Sequence, residues 1–124
     1  VNTSNNGSYP YPKTSIRMSG SSKASHLFSP KVKVETGAIY GLRSYLDTRG
    51  LSRGEVGYYI DEYDEAGNWI SGKWLGAVTS KNVIDESYRY TPTSSSVKAA
   101  SVQVYLTARA SGYVYIDNVE FWKQ

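Results

Sequence analysis

Glu55–Val78 reads EVGYYIDEYDEAGNWISGKWLGAV, and its pattern decides the fold. In the first half Val56, Tyr58 and Ile60 fall on one side and Tyr59, Asp61 and Tyr63 on the other. That two-residue period marks a half-buried strand. Asp64–Asn68 (DEAGN) is a hairpin turn with Gly67 suited to positive φ, and Trp69–Val78 returns as the partner strand with a bend at Gly72. Strict alternation over the five-residue spacing of Trp69 and Trp74 puts them on opposite faces, one in the core and one exposed.

The same rhythm continues outward in both directions. Ser15–Met18 and His26–Phe28 read as short strands around the loop Gly20–Ala24, and Lys31–Glu35 alternates Val32 and Val34 with charge. Ile39–Asp47 (IYGLRSYLD) is a long strand, followed by a polar loop at Thr48–Gly54. Ile84–Thr91, Ala100–Ala108 and Gly112–Trp122 complete the set, with the serine-rich Thr93–Lys98 as a crossing loop. Turn signals recur about every ten residues and no window keeps a helical period, so the expected fold is all-β: an antiparallel β-sandwich of eight or nine strands with jelly-roll topology. At 124 residues the chain is one domain. Val1–Tyr11 is rich in Asn, Ser, Gly and Pro, so residues 1–13 read as a linker remnant and 14–124 as the domain.

Splitting each strand by face separates a core from an outward set. Val102, Val104 and Leu106 read inward with Tyr40, Leu42, Leu46, Val56, Tyr58 and Ile60. Three outward sets resemble one another: Arg43, Tyr45 and Asp47; Tyr59, Asp61 and Tyr63; Gln103 and Tyr105. Each has a tyrosine near mid-strand beside a group that makes directional hydrogen bonds. Were those strands neighbours in one sheet, the eight residues would form a single tyrosine-lined face. With twelve tyrosines and three tryptophans in the chain, such a face suits a sugar, whose C–H side stacks on rings while its hydroxyls take paired donors and acceptors. The plainer alternative is that cross-strand tyrosines only stabilise the sheet.

Other chemistry is absent from the sequence. Zero cysteines exclude disulfides, thiol catalysis and zinc–thiolate sites. The net charge of +3 is spread along the chain with acids between the bases, unlike a phosphate-tracking surface, so no nucleic-acid partner is expected. No membrane-length apolar run is present, and no membrane partner is expected. His26, the sole histidine, reads as a structural residue at a strand end. No Gly-x-Ser-x-Gly elbow and no phosphate-binding glycine loop occur. Asp61, Glu62, Asp64 and Glu65 lack EF-hand spacing and read as a charged hairpin end. Carboxylate pairs such as Asp61 and Glu120 would serve glycosidic cleavage only if both stood beside one cleft.

The closing strand GYVYIDNVEFW (Gly112–Trp122) follows ASVQVYLTA and the crossing loop PTSSSVKAA. With SPKVKVETGAIYGLRSYLD, these segments resemble the jelly-roll carbohydrate-binding modules of families four, nine, sixteen and twenty-two. Such modules show an early Val-x-Val-x-x-Gly-x-x-Tyr-x-Leu unit and finish on a Tyr-Ile-Asp-Asp/Asn-Val strand. The resemblance covers about Thr14–Lys123. It implies a non-catalytic, monomeric appendage of a secreted polysaccharide-active enzyme, binding a β-linked glycan such as xylan, glucan, mannan or galactan. It also implies a structural calcium held by Asp117, with Asn118 in the second motif position. Residues 1–20 supply no glutamate for the other half of that site, which leaves Glu35 or carbonyls near Ser21–Lys23. Tyrosines would carry the stacking. A structural or adhesive sandwich domain that meets a protein partner at a cell or phage surface is the alternative, and a small glycan-cleaving enzyme a third.

Overall fold

The computed structural model describes residues 2–5, 14–78 and 81–124. Its strands are β1 (Asn2–Asn5), β2 (Thr14–Ser19), β3 (Ser25–Phe28), β4 (Val32–Lys33), β5 (Tyr40–Asp47), β6 (Leu51–Arg53), β7 (Val56–Tyr63), β8 (Trp69–Val78), β9 (Val83–Tyr90), β10 (Ala99–Leu106) and β11 (Ser111–Lys123). One sheet runs β1-β2-β11-β5-β9, with β6 against β11; the other runs β3-β10-β7-β8, with β4 against β10. Every pairing is antiparallel. The two sheets form the expected jelly-roll sandwich.

Alternation identifies the core correctly. Tyr40, Leu42 and Leu46 from β5, Val56, Tyr58 and Ile60 from β7, and Val102, Val104 and Leu106 from β10 are all buried in one cluster, which Val114 and Ile116 from β11 join. Each such side chain stabilises the fold by about 1.5–3 kcal/mol relative to exposure. The strand total exceeds the expected eight or nine because β1 and β6 carry no strand pattern in the sequence. β1 lies in the stretch read as a linker, where Asn2–Asn5 pairs with Thr14–Arg17. Backbone ladders need no apolar side chains, so polar composition hides it. The rest of that stretch, residues 1 and 6–13, lies outside the described residues. β6 sits in the predicted polar loop, anchored by the buried Leu51. β4 is a two-residue remnant of the strand expected over Lys31–Glu35.

The hairpin tip explains its own acids. Asp64 Oδ1 accepts from the Asn68 N–H at 2.9 Å, Gly67 N–H donates to the Asp64 carbonyl, and Gly67 takes φ 86°. Glu62 points inward, away from the tip, and is 0% exposed. It accepts from Ser71 Oγ at 2.6 Å, Tyr90 Oη at 2.5 Å, the Thr93 N–H at 3.0 Å and the Thr93 hydroxyl. One carboxylate therefore joins β7, β8, β9 and the crossing loop. Burial pushes its pKa up, but the four donors outweigh burial and hold it below the usual 4.5. Its neighbour Tyr90 keeps its proton strongly, through burial first and then its bond to Glu62.

A carboxyl whose folded pKa is depressed stabilises the fold above its unfolded pKa, and that contribution is lost as pH falls through the folded value. Glu62→Gln is expected to cost about 1–3 kcal/mol at neutral pH, because an amide presents a donor to donors. The variant should also lose part of the wild-type drop in stability between pH 7 and the acid side of 4.5. Urea denaturation at both pH values checks this, and equal midpoints at neutral pH would refute it.

Candidate ligand-binding face

The eight outward residues occupy two outer faces, not one. β5 belongs to the sheet with β11 and β9, whereas β7 and β10 are neighbours in the other. Alternation separates inside from outside on each strand; it carries no information about which sheet a strand joins. Arg43, Tyr45 and Asp47 therefore stand on the far side of the sandwich from Tyr59, Asp61, Tyr63, Gln103 and Tyr105.

On the β5 side the polar groups are engaged with one another. Arg43 donates to both oxygens of Asp85, at 3.0 and 2.7 Å, and its guanidinium lies 5.2 Å from the Tyr45 ring centroid. That pairing, by hydrogen bond first and charge second, raises the Arg43 pKa further, and the same hydrogen bond lowers that of Asp85. Asp47 accepts from Arg49 Nε at 2.9 Å and Nη2 at 2.7 Å, and Tyr45 is buried. Arg43 is thus committed to Asp85 and Asp47 to Arg49.

The β3-β10-β7-β8 face is different. A line of rings crosses all four strands. Phe28 stacks on His26 at 6.0 Å, and His26 meets Tyr105 edge-on at 5.2 Å. Tyr105 meets Tyr59 at 5.6 Å, and Tyr59 meets Trp74 at 4.7 Å. At strand spacing this line spans about 14 Å. Phe28 and Trp74, its ends, are 54% and 44% exposed. Beside it runs a line of hydrogen bonds. Trp69 Nε1 donates to Asp61 Oδ1 at 3.0 Å, Gln103 Nε2 donates to Asp61 Oδ2 at 2.7 Å, and His26 Nδ1 lies 2.6 Å from Gln103 Oε1. Asp61 and Gln103 are 5% and 8% exposed, although they point out of the sandwich. Tyr63, at the far corner, is capped by Lys31 Nζ at 4.0 Å from its ring centroid.

Four of these residues fall outside the set that alternation selects: His26, Phe28, Trp69 and Trp74. Both tryptophans share the outer face because β8 is irregular. Tyr59 pairs with Trp74 and Tyr63 with Trp69, with register shifts at Tyr58/Tyr59 and Glu62/Tyr63. The second shift leaves Ile70 without a partner in the ladder, so one residue is absorbed and both indoles come to one side. That corrects the expectation of opposite faces. His26 and Phe28 carry the alternation signal, but four residues of β3 are too short to announce a neighbour. Gly57 makes the Trp74 position possible, since a Cβ there would lie 2.1 Å from the indole Cη2 and 2.6 Å from the Gly76 carbonyl oxygen.

Asp61 and Glu120 do not flank one cleft. Glu120 is opposite Arg43 on the β11·β5 ladder, so the whole sandwich separates it from Asp61. Asp117, opposite Tyr45, begins the bulge in β11, where Asn118 takes φ 54°. Among the described residues no three acidic or histidine side chains gather in a metal centre.

No family profile and no curated protein matches the chain. Solved structures share its fold. A Family 16 Carbohydrate Binding Module-2 matches at TM-score 0.68 and 11% identity over 96% of this chain and 82% of its own. The CBM22-1 xylan-binding domain of Paenibacillus barcinonensis Xyn10C matches at TM-score 0.65 and 12% identity, over 98% and 78%. The enzymatically active domain of tailspike protein 4 from bacteriophage CBA120 matches at TM-score 0.72 and 15% identity. The match covers 98% of this chain but only 17% of the tailspike chain. At such identities the likeness is one of fold, the jelly-roll sandwich of carbohydrate-binding modules.

Gly57→Ala is expected to dislodge the Trp74 indole and cost about 1–3 kcal/mol. A shift in tryptophan fluorescence together with a lowered thermal midpoint reports it; an unchanged spectrum and midpoint would refute the packing described.

Proposed function

We propose that this chain is a non-catalytic carbohydrate-binding module that takes a β-linked polysaccharide, such as xylan, glucan, mannan or galactan, on its β3-β10-β7-β8 face. The observation that carries this reading is the unbroken line of rings from Phe28 to Trp74 beside the ordered polar line from His26 to Trp69. Rings stack on the C–H side of successive sugars, and the phenol hydroxyls of Tyr59 and Tyr105 reach the hydroxyl rim. The fold neighbours support the same class: one is a xylan-binding domain, and another of the fold is in complex with β-1,4-galactotriose. The site residues in this reading are Tyr59, Asp61, Tyr63, Gln103 and Tyr105, joined by His26, Phe28, Trp69 and Trp74. Arg43, Tyr45 and Asp47 drop out. The module acts as a monomer outside the cell, directing an attached enzyme to its glycan. A structural or adhesive domain that binds a protein partner at a cell or phage surface is the second reading, and the occurrence of the same fold in a phage tailspike supports that setting.

Affinity electrophoresis in gels holding each polysaccharide tests the first reading. Wild type should be retarded in at least one gel. Tyr59→Ala, Tyr105→Ala and Trp74→Ala should each bind about fivefold more weakly, equivalent to about 1 kcal/mol, while Tyr45→Ala migrates as wild type. Unretarded migration of the wild type in every gel, or equal loss in Tyr45→Ala, would sink the assignment.

A structural calcium at Asp117, completed by backbone carbonyls, remains part of the proposal. EDTA should then lower the thermal midpoint of the wild type and leave Asp117→Ala unaffected; identical wild-type midpoints with and without EDTA would remove it.

A further inference from the structure

The polar line on the face has a direction fixed by chemistry. Trp69 Nε1–H only donates, so Asp61 Oδ1 accepts it at 3.0 Å. The other carboxylate oxygen also accepts only, which turns the Gln103 amide so that Nε2 donates to Oδ2 at 2.7 Å. Gln103 Oε1 is thereby presented to His26, 2.6 Å from Nδ1. A carbonyl oxygen cannot donate, so Nδ1 carries the proton. In neutral imidazole only one nitrogen is protonated, and Nε2 is left with a bare lone pair on the far side of the ring. His26 is exposed, held between the Phe28 face and the Tyr105 edge.

We propose that Asp61, acting through Gln103, locks His26 as the Nδ1–H tautomer, so that Nε2 is a fixed outward acceptor for a sugar hydroxyl. The ligand clause rests on the binding reading above; the tautomer clause does not. The consequence for specificity is concrete. The sugar residue stacked near Phe28 and Tyr105 must present a hydroxyl as donor, and a sugar methylated or acetylated at that oxygen loses the bond. Asp61 is a positioning residue here, two links away from the ligand. Asp61→Asn should reverse the line. The oxygen of the introduced amide must face the Trp69 donor, and its NH2 then faces Gln103. The Gln103 amide turns over, and His26 receives an N–H at Nδ1. The imidazole proton moves to Nε2, and the outward acceptor becomes a donor.

Because His26 is the sole histidine, long-range 1H–15N correlation of the ring reads the tautomer without ambiguity, with no ligand present. At a pH above the histidine titration, wild type should show the Nδ1–H pattern and Asp61→Asn the Nε2–H pattern, with the rest of the amide spectrum preserved. Should Asp61→Asn fail to fold, Gln103→Met severs the line and should abolish the predominance of Nδ1–H. A wild-type ring protonated at Nε2, or a variant that keeps the wild-type pattern, would overturn the lock. With a retarding glycan from the electrophoresis in hand, Asp61→Asn should bind it at least fivefold more weakly, and unchanged binding despite a swapped tautomer would overturn the acceptor role. A wild type that shows Nδ1–H yet binds no glycan would sink the binding reading and the acceptor role with it, while upholding the lock.

Discussion

One carboxylate organises the outer face of the β3-β10-β7-β8 sheet. Asp61 lies outside the core yet is almost fully covered, because Trp69 from β8 and Gln103 from β10 close over it and donate to its two oxygens. A covered carboxylate without such donors would cost several kcal/mol; with them, it fixes an indole and an amide in single orientations. Through the amide it also reaches the histidine of β3. Four strands are thus tied by their outward side chains as well as by their ladders. The rings beside this floor pack edge to face on one another, and any ligand taken there would cost them little further conformational freedom.

Glu62, the next residue along β7, does the same on the inner side. Its partners lie on β8, β9 and the crossing loop, so it joins the edge of one sheet to the edge of the other. Consecutive acidic residues of one strand therefore serve opposite faces: Asp61 sets the candidate site and Glu62 pins the sandwich behind it. The second irregularity in β8 sits beside them, pairing Tyr63 with Trp69. Gly72 opposite Asp61 leaves the space in which the indole can approach, since a Cβ there would come within 3.2 Å of Asp61 Oδ1.

The fold is legible in the sequence because its signals are local. Val102, Val104 and Leu106 alternate with Ser101, Gln103 and Tyr105, and that is enough to declare a strand and its buried side. Gly67 at the hairpin tip is equally plain. What the pattern does not hold is adjacency. Tyr45, Tyr59 and Tyr105 look alike in sequence, but only the latter two share a sheet, because strand order is set by the crossings between sheets. Trp69 and Trp74 mislead for a related reason: a bulge adds one residue without any composition of its own. His26 reads as a structural residue, and it is one by virtue of its Gln103 bond. The further use proposed for its second nitrogen depends on the direction of the polar line, which the sequence does not carry.

In the proposed function the face carrying Trp69 and Trp74, and not the face carrying Trp122, meets the ligand. The three tryptophans of the chain each give one indole N–H signal. In a 1H–15N titration with the bound oligosaccharide, the Trp69 and Trp74 signals should move in step with saturation while Trp122, packed over Gly41 on the other sheet, stays in place. Movement of Trp122 with Trp69 and Trp74 unmoved would contradict it.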